Sequence, residues 1–299
     1  MTTSVRFSGT GTALVTPFQH EGAFDAPAYR RLIAAQIKGG VEALIVLGTT
    51  GENPTVTPDE RSLIVETAIQ AAAGRVPVIV GTGSNNTRES IAFARQAAAA
   101  GADGQLVVGP YYNKPTQAGF RAHVAAIAEA ADLPVLLYNV PGRTGFNMTA
   151  ETVLRLAEEV PAVFGVKEAS GNLDQIMEIL AHRAPGFAVY SGDDALTFPL
   201  VALGADGVVS VISNALPDRF SDMVRAALAG DLAGARRMHF ALLPAMRACF
   251  FETNPIPIKA VLSEMGMMAP TLRLPLIAAT GDTRRRILAA FEVPLSIPA

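Results

Sequence analysis

The sequence has little cysteine and little charge, and each shortage excludes a class of protein. A single cysteine, Cys249, excludes an internal disulfide framework and is typical of a reducing compartment. Only 17% of the residues are charged, the formal net charge is -3, and no run of lysine or arginine provides a basic surface for nucleic acid. The segment from Met1 to Phe7 lacks the apolar stretch of a signal peptide, and no uncharged apolar run reaches membrane-spanning length. We therefore expect a soluble cytoplasmic protein without a nucleic-acid or membrane partner.

Three common kinds of functional site are also missing from the sequence. The four histidines are not clustered, and they fall in a loop or on predicted helices, which argues against a metal site (His20, His123, His182 and His239). The segment Gly81–Asn85 lacks the full dinucleotide fingerprint and the lysine of a phosphate loop, so we interpret it as a strand-to-helix turn. The sequence contains no Gly-x-Ser-x-Gly motif, which argues against a serine hydrolase. We expect neither a metal nor a cofactor.

Short β-rich runs alternate with alanine-rich helical patterns along most of the chain, half of which is hydrophobic. Regular alternation of strand and helix predicts parallel strands joined by right-handed crossovers. About eight such units favour a closed α/β barrel, the (β/α)8 TIM barrel, over an open sheet. The predicted strands are Gly11–Thr16, Ala43–Leu47, Pro77–Val80, Gly104–Val108, Val135–Tyr138, Val163–Lys167, Ala188–Tyr190 and Gly207–Ser210. The predicted barrel helices are Ala26–Lys38, Pro58–Ala73, Thr87–Ala100, Gln117–Ala131, Ala150–Glu159, Leu173–His182, Ala195–Leu203 and Asp218–Ala229.

Further helices follow the eighth unit, near Leu232–Glu252, Ile256–Glu264 and Thr283–Phe291. No linker separates them from the preceding residues. The sequence therefore predicts a catalytic barrel over residues 1–230 and a C-terminal helical extension over residues 231–299, packed on the barrel.

One predicted strand ends in a lysine, in the segment Val163–Gly171. Desolvation at the edge of an apolar core can lower the pKa of a lysine and leave a neutral amine that attacks a carbonyl. Lys167 is therefore a candidate nucleophile. A structural interpretation is also open, in which Lys167 extends to solvent or pairs with Glu168.

Other polar groups follow the predicted strands, and in a parallel barrel these strand ends meet at the face that holds the active site. Imine chemistry moves a proton at each step, and a tyrosine can carry it only if other hydroxyls share the charge. Tyr138, Thr50 and Tyr112 are placed to form such a relay, although packing at the rim would also explain the tyrosines. Arg143, in a turn between Pro141 and Gly145, could bind a substrate carboxylate or simply pair with a helix carboxylate.

The chain resembles the dihydrodipicolinate synthase and N-acetylneuraminate lyase superfamily over essentially its whole length. These proteins are pyruvate-dependent class I aldolases on (β/α)8 barrels. Two motifs are superfamily-level signals, Gly48–Glu52 and Gly165–Gly171. Two others resemble the branch that condenses pyruvate with L-aspartate 4-semialdehyde for diaminopimelate and lysine biosynthesis, Tyr138–Gly145 and Asn254–Lys259.

The resemblance implies a role for each matching residue. Lys167 would form the imine, Tyr138 would shuttle protons, and Thr50 and Tyr112 would complete the relay, with Tyr112 reaching in from a neighbouring subunit of a homotetramer, a dimer of dimers. Pyruvate would bind through Thr49 and Thr50, and aspartate semialdehyde through Arg143. Gly192 and the backbone of Val209 would line the pocket.

The resemblance also implies a site for feedback by lysine at a subunit interface. The matching positions are Asn53, Pro54, Pro58, Arg61, Asn85, Glu89 and Tyr111. Pro58 and Arg61 stand where strongly inhibited members carry histidines, so we expect weak or absent inhibition.

Two other functions remain open on the sequence. A sister pyruvate aldolase, or a 2-keto-3-deoxy sugar acid dehydratase, would use the same lysine with another substrate. A non-catalytic barrel that senses a keto acid would keep the fold without the chemistry.

Overall fold

Eight parallel strands close into a barrel in the computed structural model, which describes residues 5–292. Each strand pairs with the next one along the chain, and β8 returns to pair with β1. The strands are β1 Gly9–Ala13, β2 Ala43–Val46, β3 Val78–Gly81, β4 Gly104–Val108, β5 Val135–Asn139, β6 Val163–Glu168, β7 Ala188–Ser191 and β8 Gly207–Ser210. The predicted TIM barrel is confirmed.

The first strand shows the largest shift from its predicted position. It begins two residues earlier, at Gly9, because Gly9 and Thr10 pair with β8. It also ends earlier, at Ala13. By Val15 the backbone N–H no longer bonds to a neighbouring strand and instead donates to Asn214 Oδ1 at 3.1 Å.

Most helices on the outside of the barrel begin at side-chain caps that the sequence supplies. Thr57 and Glu60 form a reciprocal capping box at the start of the second helix, whose first residue is Pro58. The predicted helix Ala195–Leu203 is instead a 3₁₀ turn, Asp194–Leu196, followed by a short helix. The helices are α1 Ala26–Lys38, α2 Pro58–Ala72, α3 Thr87–Ala100, α4 Gln117–Ala130, α5 Pro141–Thr144, α6 Ala150–Glu159, α7 Leu173–His182, α8 Thr197–Ala202 and α9 Pro217–Leu228. The short α5 was not predicted.

Three more helices form the C-terminal extension, α10 Leu232–Ala248, α11 Ile256–Glu264 and α12 Gly281–Ala290. Their apolar side chains join those of the barrel in one buried cluster, which includes Leu44 of β2, Met246 of α10 and Val261 of α11. The extension therefore packs on the barrel. The boundary at residues 230 and 231 stays a prediction, and residues 1–4 and 293–299 lie outside the described part of the chain.

The interior of the barrel is apolar below the carboxyl ends of its strands. Side chains such as Ile45, Leu106, Leu136 and Val209 fill it. Tyr190 also lies inside, with its ring stacked on Phe7 at 4.2 Å and its hydroxyl donating to the Phe7 carbonyl. Polar chemistry is thus left to the carboxyl ends of the strands. Within residues 5–292, none of the helices has the length and hydropathy needed to cross a bilayer.

Candidate active site

Lys167 and Tyr138 lie side by side at the catalytic face. They are register partners on β6 and β5, and each is 5% exposed. The Lys167 Nζ atom is 3.9 Å from the centroid of the Tyr138 ring. The strands therefore place a buried amine and a buried phenol in direct contact.

Glu168 does not neutralise Lys167. Its carboxylate accepts hydrogen bonds from Asn139 Nδ2, from the backbone N–H of Ser170 and from Gln175 Nε2. Among the described residues, no carboxylate forms an ion pair with Lys167. The two structural explanations of this lysine, exposure to solvent and pairing with Glu168, are thereby excluded.

The phenol of Tyr138 is more acidic than usual. Burial raises the pKa of Tyr138, but the charge of Lys167, a hydrogen bond with Thr49 and the charge of Arg143 together bring it below its ordinary value of 10. A phenol shifted in this direction exchanges its proton more readily near neutral pH.

The turn after β2 presents its two hydroxyls to different partners. Thr49 and Thr50 lie in a 3₁₀ turn, Thr49–Gly51, where successive side chains point about 120° apart at three residues per turn. Thr49 bonds with Tyr138, whereas the Thr50 hydroxyl accepts from Asn254 Nδ2 at 2.9 Å. A part for Thr50 in the proton relay stays a prediction.

Arg143 lies on α5, close to the same face. Its Nη2 atom donates to the carbonyl of Asn254 at 3.3 Å. No ion pair joins it to a carboxylate within the described residues, which leaves the guanidinium available for an anionic ligand.

Two adjoining cavities open at this face. The lysine cavity has a volume of about 120 Å³ and contains Lys167, whereas the neighbouring cavity has about 320 Å³. Thr49, Tyr138, Val140, Arg143 and Asn254 line both. Gly192 and Val211 line the lysine cavity, and a part for Gly192 in substrate binding stays a prediction. Val209 lies in the barrel interior at 1% exposure, and a role for its backbone stays a prediction.

Tyr112 stands apart from the lysine of its own chain. It is 89% exposed, has a backbone φ of +72° and lines neither cavity. Its neighbour Tyr111 lines the cavity beside the lysine cavity. Within one chain, Lys167, Tyr138 and Thr49 thus lie around the lysine cavity and Tyr112 does not, so a part for Tyr112 in a relay stays a prediction.

The candidate effector residues lie around a buried arginine. Arg61 is 2% exposed, and it donates to Asn53 Oδ1 and to the carbonyl of Gly81. Glu89 accepts from the Ser84 hydroxyl. The backbone carbonyl of Asn85 accepts from Asn113 Nδ2.

Sequence reasoning assigned no role to Asn254, although it noted the motif that begins there. Asn254 belongs to the C-terminal extension and lies about 200 residues along the chain from the turn that it contacts. No local sequence pattern can therefore indicate this contact. The histidines lie where predicted, and residues 5–292 contain no group of three His, Cys, Asp or Glu side chains able to hold a metal ion.

Comparison with known proteins gives consistent results. The sequence model of the family described as the dihydrodipicolinate synthetase family matches residues 6–293. A 4-hydroxy-tetrahydrodipicolinate synthase from Salinibacter ruber is 63% identical, covering 96% of this chain and 95% of the relative. The crystal structure of dihydrodipicolinate synthase from Thermotoga maritima is similar at a TM-score of 0.94 and 45% identity, covering 96% of this chain and 98% of that one. A structure of the Cyanidioschyzon merolae protein with lysine bound is similar at a TM-score of 0.93 and 44% identity, covering 96% and 98%.

Proposed function

This chain belongs to the dihydrodipicolinate synthetase family, and from that premise we propose that it acts as a 4-hydroxy-tetrahydrodipicolinate synthase. It would condense pyruvate with L-aspartate 4-semialdehyde through an imine on Lys167, in lysine and diaminopimelate biosynthesis. The observation that carries this proposal is a buried lysine that pairs with no carboxylate of residues 5–292 and lies against a buried tyrosine at the carboxyl ends of the barrel strands.

The reaction starts with the amine of Lys167. Nζ adds to the ketone carbon of pyruvate, and the carbinolamine loses water to give an iminium. Loss of a proton from the methyl carbon gives an enamine, which forms a carbon–carbon bond to the aldehyde of the second substrate. The amine of that substrate then attacks the imine carbon, closes the ring and releases Lys167.

Tyr138 carries the protons in this scheme, with Thr49 as its hydroxyl partner. Its lowered pKa and its contact with Lys167 support this role. Thr49 and Thr50 also bind the pyruvate carboxylate, through the hydroxyls and backbone amides of their turn. Gly192 leaves room for the lysine side chain.

The last member of the relay would come from a second subunit. Tyr112 is 89% exposed and does not line the cavity that contains Lys167 of its own chain, and a 320 Å³ cavity adjoins Tyr138 and Thr49. We propose that Tyr112 of a neighbouring subunit enters there, in a homotetramer built as a dimer of dimers. The cytoplasmic location expected from the sequence stays a prediction.

Trapping with borohydride tests the imine. Pyruvate followed by borohydride should leave a reduced adduct on Lys167, identified by peptide mass spectrometry, and Lys167→Met should leave none. The same treatment of the intact protein would fail to label Lys167 if the barrel only senses a keto acid.

The second substrate is tested by the Arg143→Ala variant. Loss of a charge-assisted carboxylate contact should lower kcat/KM for aspartate semialdehyde on the order of tenfold or more. Arg155→Ala is the control, because Arg155 forms only a surface ion pair with Glu151 on α6. Faster turnover of a sugar acid than of aspartate semialdehyde would instead favour a sister aldolase or dehydratase.

Feedback by lysine should be weak. The buried guanidinium of Arg61 lies 4.0 Å from the Phe93 ring centroid, and burial lowers its pKa to about 10 while Glu89 opposes the shift. A fixed cation at this place opposes the binding of a cationic amino acid. Steady-state rates with added lysine should change little, and Arg61→His should increase the inhibition. Strong inhibition of the unmodified enzyme at low lysine concentration would contradict this expectation.

A further inference from the structure

The turn that carries Thr49 and Thr50 has an unusual backbone. It is entered through Leu47, with a φ of +54°, and left through Glu52, also with a φ of +54°. Residues other than glycine rarely adopt this left-handed conformation, because the Cβ atom crowds the following carbonyl. Such a turn persists only where its surroundings hold it in place.

Glu52 is held by two residues of the C-terminal extension. Its carboxylate forms an ion pair with Lys259, and the two side chains are 1% and 0% exposed. The other carboxylate oxygen accepts from the backbone N–H of Arg273 at 3.1 Å. Lys259 Nζ also donates to the carbonyl of Thr271 at 3.0 Å and lies 4.3 Å from the centroid of the Phe18 ring.

Two further contacts hold the same turn. The Thr16 hydroxyl donates to the carbonyl of Gly51 at 2.7 Å, and Asn254 donates to the Thr50 hydroxyl. Asn254 and Lys259 flank the start of α11, so one short segment of the extension contacts the turn at both Thr50 and Glu52. The turn is thus fixed between the barrel and the extension.

Stability alone does not explain the ion pair. Burial lowers the pKa of Lys259 to about 8 in spite of Glu52, which reflects how far the amine is desolvated. Buried ion pairs often add little stability over well-packed apolar side chains, because desolvation offsets their attraction. They do fix geometry, since each charge accepts only a narrow range of partner positions.

We propose that Glu52 and Lys259 form a positioning pair that holds Thr49 and Thr50 in the orientation in which the turn binds the carboxylate of a 2-keto acid. This inference rests on the proposed function and deepens it. It gives the C-terminal extension a part in substrate binding, through residues that do not themselves touch the substrate.

The test compares Glu52→Gln with the double variant Glu52→Gln/Lys259→Met. The single variant leaves the Lys259 charge without its partner, whereas the double variant removes both charges and should regain most of the lost thermal stability. Both should need more pyruvate for half-saturation of borohydride-trapped Lys167, on the order of tenfold, because small displacements of binding groups cost one to two orders of magnitude. The KM for aspartate semialdehyde should change much less than the KM for pyruvate.

A matched control lies at the opposite end of the barrel. Asp206, just before β8, pairs with Arg183 and Arg6. Asp206→Asn should lower the melting temperature and leave the half-saturating pyruvate concentration unchanged.

The outcomes separate this inference from the proposed function. If the double variant regains its melting temperature together with the original pyruvate half-saturation, the pair is merely structural and the inference fails. If Glu52→Gln does not fold, the half-saturating pyruvate concentration of the double variant alone tests the inference. If the unmodified protein forms no adduct with pyruvate at all, the proposed function fails instead.

Discussion

At the scale of single residues, Gly192 sets the room available to the Lys167 side chain. A Cβ atom added at Gly192 would come within 3.1 Å of Lys167 Cε and 2.5 Å of Ala169 Cβ. The backbone N–H of Gly192 donates to the Glu168 carbonyl at 2.7 Å, so this segment cannot easily move away. The absence of a side chain at this position therefore leaves the Lys167 side chain in its place.

Gly192→Ala should slow imine formation on the order of tenfold or more, because the methyl group displaces Lys167 from its approach to the ketone. The measurement is the rate at which pyruvate plus borohydride labels Lys167. Gly119→Ala is the control, since its Cβ atom would make only ordinary contacts on α4. Equal labelling rates in the two variants would contradict this reasoning.

A second residue-scale prediction concerns stability and pH. His123 is 6% exposed, its Nδ1 atom bonds with the Thr87 hydroxyl at 2.9 Å, and burial lowers its pKa from 6.5 to about 4. Between these two pH values the unfolded chain binds a proton that the folded chain does not. The contribution of His123 to the free energy of unfolding is therefore complete above pH 6.5 and is lost as the pH falls towards 4. The free energy of unfolding should drop by about 3 kcal/mol over this interval from this group, since each unit of pKa difference contributes about 1.4 kcal/mol. Chemical denaturation at several pH values measures it, and His123→Gln should remove that part of the slope.

The sequence could predict which residues come together at the carboxyl ends of the strands better than how their side chains are oriented. Lys167 and Tyr138 follow from strand ends, where an alternating pattern indicates which side chains reach the catalytic face. Thr49 and Thr50 are adjacent hydroxyls in a turn, and only the 3₁₀ geometry decides which of them meets Tyr138. The pairing of Glu52 with Lys259 joins residues more than 200 positions apart, which a local pattern cannot indicate.

At the scale of elements, α2 links the turn that carries Thr49 and Thr50 to the outer layer of the barrel. Its capping box uses Thr57 and Glu60, and Glu60 also pairs with Arg273 of the extension. That hydrogen-bonded pair lowers the pKa of Glu60 to about 2, against a smaller effect of burial. One glutamate thus starts a helix and joins it to the extension.

Thr57→Ala should lower the free energy of unfolding by about 1 kcal/mol, the usual cost of losing a helix cap. Pyruvate binding should not change, because the turn keeps its contacts with Thr16, Asn254 and Lys259. Thr280→Ala is the matched control: Thr280 holds the same position on α12 but makes no side-chain cap hydrogen bond, so its loss should have little effect. Equal losses of stability in urea titrations of the two variants would contradict the capping argument.

At the scale of the whole molecule, the exposure of Tyr112 predicts that this residue acts in the active site of a neighbouring subunit. Lys167→Ala and Tyr112→Phe should each be nearly inactive alone. Mixed subunits should regain roughly a quarter of the activity, because half of randomly formed dimers are mixed and each has one complete site. The control mixes Lys167→Ala with Tyr138→Phe, which leaves no site complete. No recovery in the first mixture would show that Tyr112 does not act across an interface.

Closure of the barrel joins the two ends of the strand order. Gly9 of β1 pairs with Gly207 of β8, and a Cβ atom on Gly207 would lie 2.0 Å from the Gly9 carbonyl oxygen. A ribosome adds about 5–20 residues per second, so β1 waits roughly 10–40 s after its own synthesis before its last partner appears. During that interval the edge of β1 that will pair with β8 has no partner strand, so the barrel can close only after residues 207–210 have been synthesised.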